Sequence, residues 1–198
     1  MTALPAIPDD DPHGILHFWF NELTPEDHFR VSPELDATCR ERYLDLWEQA
    51  HRGAFSTWRS VARPCLALII LLDQMPRNMF RGDARAFASD ARALDYARKA
   101  IARGFDMQLD HPQRAFFYLP MMHSEFLADQ EHAICRTLLG GSTADSMMHA
   151  RAHRLVIRRF GRFPYRNAAL GRTTTPAEQA FLDAGAYRAA MDEAAATA

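Results

Sequence analysis

An arginine-asparagine pair follows a proline twice in this chain. Pro76-Arg77-Asn78-Met79-Phe80-Arg81-Gly82 is echoed, with small shifts in spacing, by Pro164-Tyr165-Arg166-Asn167-Ala168-Ala169-Leu170-Gly171-Arg172. Each copy ends with a second arginine beside a glycine. Proline cannot donate a helical hydrogen bond, and it pushes the preceding residue away from the α region. Each copy is therefore expected where a helix ends or kinks. An arginine placed there offers a planar fork of donors suited to carboxylate or phosphate. Two such forks can form an anion site, with Asn78 and Asn167 as hydrogen-bonding partners. They serve equally well as internal staples.

A third proline-marked segment carries different chemistry. In Tyr118-Leu119-Pro120-Met121-Met122-His123-Ser124-Glu125 a histidine and a carboxylate sit together. Such a pair can act as general acid and base. In the first segment, Asp73 and Arg77 are four residues apart and share a face if the helix runs through Pro76. Asp73 would then orient Arg77, or simply neutralise it.

The stretch around Pro164 is the most basic. No acidic residue lies between Asp145 and Glu178, whereas Arg151, Arg154, Arg158, Arg159, Arg162, Arg166 and Arg172 do, with His149 and His153. Positive potential of this kind attracts phosphates and carboxylates. Most of these arginines are expected to pair with distant acids such as Asp73, Asp90, Glu125 and Asp129. Arg162 and Arg166 flank the proline and are the ones most open to a ligand.

Metal chemistry has little support. Glu125 with Asp129, Asp129 with His132, and His149 with His153 have helical ligand spacing, but no H-E-x-x-H or paired E-x-x-H motif is present. The arginines beside His149 and His153 repel cations. No metal or other cofactor is expected. Glycine-rich phosphate loops and a G-x-S-x-G elbow are absent.

Bulk properties narrow the class. The chain has 198 residues, 48% of them hydrophobic and 24% charged, enough for one domain with a real core. Its net charge of −2 gives no global pull toward nucleic acid. Lys99 is the only lysine. Cys39, Cys65 and Cys135 are too scattered for a redox or zinc motif and are expected to be reduced thiols. Cys65 has apolar neighbours and is expected in the core. The longest apolar run, residues 65–72, falls far short of the ~20 residues of a membrane helix. No basic start followed by an apolar run is visible, so neither a signal peptide nor a membrane partner is expected. A cytoplasmic protein follows from these readings.

The elements that must position these residues are helices, because alanine is abundant and Val plus Ile are scarce. Asp11-Pro12 starts a first helix reaching about Leu23. Ser32 caps a second, with Pro33 in its first turn and Gly53 at its end. Its stripe is Leu35, Cys39, Tyr43, Leu46, Trp47 and Ala50. A short apolar helix spans Leu66–Leu72, buried all round. Another spans Ala84–Arg103, with the stripe Phe87, Ala91, Leu94, Ala97 and Ile101. A long segment from His111-Pro112 to Leu139 is interrupted by Pro120. Ser142–Phe160 is helical, and Thr175-Pro176-Ala177-Glu178 is a capping box for a last helix through Leu182. The expected fold is thus all-α, about eight helices stacked as antiparallel pairs in a tetratricopeptide-like α-α superhelix. Residues 1–11 are expected as a flexible segment, 12–184 as a single helical domain, and 185–198 as an alanine-rich tail that extends a helix or frays.

The chain resembles the bacterial domain-of-unknown-function 924 family. The resemblance is carried by Ile15-Leu16-His17-Phe18-Trp19-Phe20, residues 71–78, Phe80-Arg81-Gly82 with Ala86-Phe87-Ala88-Ser89-Asp90, Pro120 to Glu125, and residues 159–167 through Leu170-Gly171-Arg172. It covers roughly residues 12–184. The sequence departs from the family pattern at Met121, where an aromatic is usual, and at Tyr165, where histidine is common. The resemblance implies a tetratricopeptide-like helical fold and no particular activity.

Together these readings point to a binding module for a small anionic ligand or a carboxylate-bearing peptide. Its expected ligand-binding residues are Asp73, Arg77, Asn78, Arg81, His123, Arg162, Arg166, Asn167 and Arg172. A metal-independent hydrolase or isomerase using His123 and Glu125 is one alternative. A purely structural or interaction module is the other. Nucleic acid ranks last, because the basic window is short.

Overall fold

The computed structural model describes residues 11–28 and 30–196. The expected flexible segment lies outside them except for Asp11, which caps the first helix by accepting from the His13 N–H at 2.7 Å. Among the described residues every regular element is helical. The chain forms two compact units. The first runs to Arg81 and includes Arg85–Leu109; the second comprises Gly82–Ala84 and the chain from Asp110 onward.

In the first unit, α1 (Pro12–His17) widens into a π-turn, Phe18–Glu22, and buries Ile15, Leu16, Phe18 and Trp19. Helix α2 (Pro33–His51) is capped by Ser32, which accepts from Leu35 N–H, and buries the stripe expected of it. Helix α3 (Ala62–Asp73) is longer than the apolar run suggested. It is covered on all sides from Cys65 to Leu72, because α1, α2 and the helix Asp90–Ala102 pack around it. Helix α4 (Met75–Met79) follows α3 after Gln74, with Pro76 in its first turn.

Helix α5 (Asp90–Ala102) differs from expectation in start and face. Residues 84–87 form a separate 3₁₀ turn. The buried set is Ala93, Tyr96, Ala97, Ala100 and Ile101, while Ala91 is exposed and Leu94 half-buried. Ala97 and Ile101 are buried as expected, and Ala93, Tyr96 and Ala100 make up the rest of the buried face, with α3 as the packing partner.

In the second unit, the interrupted segment resolves into a 3₁₀ turn (Gln113–Phe117), α6 (Leu119–Met122) and α7 (Leu127–Leu139). Helix α8 (Ala144–Phe160) packs against both α7 and α10 (Tyr187–Ala196). Gly161, at φ 69°, ends α8 in the left-handed conformation that glycine adopts without strain. Helix α9 (Pro176–Asp183) begins with the expected Thr175/Glu178 capping box. The alanine-rich residues continue as α10, whose Ala190 and Ala194 are buried with Ala152, Val156, Ile157, Phe163 and Phe181. No described helix is long and apolar enough to cross a membrane.

Candidate functional site

The Pro76 break, in the first unit, is a carboxylate network. Arg77 bonds the Asp73 carbonyl and forks onto Asp90 at 3.0 and 3.1 Å, and Gln74 donates to the buried Asp73 carboxylate. Asn78 and Arg81 converge on Asp36, at 3.0 Å from the amide and 2.8 Å for both guanidinium bonds. Burial alone would raise the Asp36 carboxyl; the bonds from Arg81 and Asn78 outweigh it and hold the group below the usual carboxylate range. Ser89 ties the break to α3 and α2, donating to Leu72 O at 2.5 Å and accepting from Trp47 Nε1 at 3.0 Å. Arg40 covers the Met79 carbonyl at the end of α4.

The Pro120 and Pro164 breaks meet inside the second unit. Arg172 grips Glu125 with two bonds of 2.8 Å, and Glu125 also accepts from Phe163 N–H at 2.9 Å. Burial opposes ionisation of Glu125, but Arg172 and the Phe163 amide prevail and lower its pKa. Arg162 forks onto Glu178 at 2.6 and 2.8 Å and reaches Thr173 O at 2.8 Å. The Arg162 hydrogen bond, followed by the Thr175 amide, pulls the Glu178 carboxyl down to about 2. Arg166, largely buried, donates to His123 O at 3.1 Å and lies 4.6 Å over the Phe163 ring. Asn167 bonds Thr174 at 3.3 Å through its amide nitrogen, while its buried carbonyl oxygen has no protein partner among the described residues. Gln130 braces the Pro120 break by donating to the carbonyls of Met121, Met122 and Ser124.

The sequence-predicted site residues thus fall into two sets. Asp73, Arg77, Asn78 and Arg81 belong to the first unit. His123, Arg162, Arg166, Asn167 and Arg172 are brought together in the second. Every arginine among them is engaged by a protein carboxylate or carbonyl. Arg172 takes Glu125, one of the acids anticipated as a partner for the basic window.

The histidines form their own cluster. Tyr187, on α10, has its hydroxyl 2.7 Å from His149 Nδ1 and 3.1 Å from His153 Nδ1, and His153 Nδ1 also lies 2.9 Å from His149 O. His153 Nδ1 must carry its proton to donate to that carbonyl. The Tyr187 hydroxyl is then an acceptor toward His153 and shares a hydrogen bond with His149 Nδ1. Burial, with the charge of His123 next in weight, drops the His153 pKa to about 3. The His123 ring stands 5.8 Å from that of His153. No group of three or more His, Cys, Asp or Glu side chains able to hold a metal ion occurs among the described residues.

An open concavity lies on α8. A groove of about 550 Å³ is lined by Arg151, Arg154, Leu155, Arg158, Arg159 and Ala194. Arg154 is bonded to Glu131 of α7 at 2.9 Å, and Arg159 to Glu193 of α10 at 2.6 and 2.7 Å. Neither Arg151 nor Arg158 makes an ion pair or a side-chain hydrogen bond among the described residues. These two arginines were left out of the site expected from sequence. Their spacing was a usable signal: residues 151, 154, 155, 158 and 159 share one helical face.

The fold and these motifs define an all-helical protein of the family described as bacterial protein of unknown function, DUF924; the family profile matches residues 15–186, and the chain belongs to that family. The solved structure of a protein of unknown function from Agrobacterium tumefaciens is similar to it, with 38% identity and a TM-score of 0.83, over 88% of this chain and 97% of the other. No curated protein matches.

Proposed function

We propose that this protein is a binding module for a small anionic ligand, and that the groove on α8 is where the ligand binds. The supporting observation is the pair Arg151 and Arg158: two guanidiniums in one groove that no acid among the described residues neutralises. A volume of about 550 Å³ falls within the usual ~300–1,000 Å³ of small-molecule pockets. The motif arginines have a different part in this reading. They brace the unit that carries the groove, and an anion at Arg162 or Arg172 would have to displace a two-pronged carboxylate. A carboxylate-bearing peptide end is one form the ligand can take.

The alternative of acid-base catalysis by His123 and Glu125 has less behind it. Glu125 is an anion gripped by Arg172 and the Phe163 amide, which weakens it as a base. A thermal-shift screen with phosphates, organic acids and short peptides, run on the wild type and on Arg158→Ala, tests the binding reading. The expected result is stabilisation of the wild type that the variant loses. If no anion stabilises the wild type more than the variant, the reading fails.

A further inference from the structure

We infer that the α8 groove takes a small molecule bearing two linked phosphoryl groups, held between the forks of Arg151 and Arg158. This rests on the anion-binding reading above and narrows it to a ligand class.

Charge comes first. Arg154 and Arg159 already hold Glu131 and Glu193, so the groove carries two uncompensated positive charges rather than four. A monocarboxylate neutralises one of them. A phosphate group carries about −1.5 to −2 near neutral pH with three acceptor oxygens, and a diphosphate satisfies both forks at once.

Spacing comes second. Arg151 and Arg158 are seven residues apart on one face, so their backbones are separated by about 10 Å along the helix axis. A single phosphate would draw both side chains to a midpoint. Two phosphoryl groups joined by an oxygen give each guanidinium its own set of acceptors. The other lining residues, Leu155 and Ala194, present no side-chain acceptor to repel an anion.

Helix stability explains only one of the pair. Arg158 lies in the last turn of α8, where a cation is favoured by the helix dipole. Arg151 lies two turns earlier, beyond the reach of that effect, and has no acid of its own among the described residues.

Titration calorimetry on the full chain at fixed ionic strength tests this with pyrophosphate, orthophosphate and citrate. Pyrophosphate is expected to bind at least about tenfold more tightly than the other two. Arg151→Gln and Arg158→Gln should each remove that preference, with unchanged helical circular dichroism. Arg188→Gln, which deletes an exposed charge elsewhere on the same unit, should retain it. Adding a nucleoside diphosphate distinguishes the sources: tighter binding than pyrophosphate assigns an organic ligand, weaker binding an inorganic one. Citrate binding as tightly as pyrophosphate overturns the ligand class and leaves anion binding standing. Unaltered binding in both groove variants overturns the site. No binding of any anion removes this inference and the functional reading together.

Discussion

Arg172→Ala separates a ligand-binding arginine from a staple. Arg172 crosses 47 residues of sequence to grip Glu125 with two bonds of 2.8 Å. Its side chain is 30% exposed and that of Glu125 is 23% exposed, so solvent screens the pair only in part. Exposed pairs are worth about 0.5 kcal/mol, and breaking fully buried ones costs about 4, which places this loss near 2 kcal/mol. Glu125 keeps the Phe163 amide, so the loss stays below the buried limit. At this chain length about 2 kcal/mol corresponds to a melting shift of roughly 4–8 °C. Urea unfolding followed by circular dichroism is the suitable assay, because Trp19, Trp47 and Trp58 all lie in the first unit and their fluorescence reports on the wrong one. In a double-mutant cycle with Glu125→Gln, the coupling should account for most of the loss. The pair should also respond to acid. The folded pKa of Glu125 is lowered, so its contribution is complete above the unfolded carboxyl value and fades as pH falls through the folded one. A loss below about 0.5 kcal/mol, or a coupling near zero, refutes the staple assignment and returns Arg172 to the ligand-binding set.

Three further predictions concern other parts of the molecule. His153 has a folded pKa of about 3, below its unfolded value, so the unfolded chain binds the proton more readily; stability should be complete above about pH 6.5 and decline toward 3, and His153→Gln should flatten that slope in pH-dependent urea titrations. A methyl group at Gly140 would lie 2.5 Å from the Tyr118 hydroxyl and 3.0 Å from Arg136 O, so Gly140→Ala should destabilise by about 1–3 kcal/mol, and Tyr118→Phe should recover part of the loss in the same unfolding assay. Burial pushes the Cys39 and Cys65 thiols up to about 12 and about 11 while Cys135 is exposed, so a thiol reagent should label one cysteine rapidly in the native protein and all three in denaturant.

The local features of this protein were legible in its sequence because their causes are local. Ser32, and Thr175 with Glu178, mark helix starts through hydrogen bonds that span a few residues. The α2 stripe followed from period alone, since one face of a long helix must be buried. The three proline breaks could be read the same way, as places where a helix loses its donors. Other features were not legible, because they depend on which elements meet. The buried face of α5 went to Ala93, Tyr96 and Ala100 beside the expected Ala97 and Ile101, and not to Ala91 and Leu94, since the packing against α3 decides which side is covered. Tyr187 stood in a stretch that read as tail, and only the packing of α10 on α8 sets its hydroxyl between His149 and His153. Arginine identity also left the central question open. A guanidinium has the same chemistry whether it binds a ligand or an internal carboxylate. Only the tertiary structure supplied Asp36, Asp90, Glu125 and Glu178 to the motif arginines, and only it left Arg151 and Arg158 without an acid among the described residues, because partners 13 to 47 residues away in sequence become neighbours through packing alone.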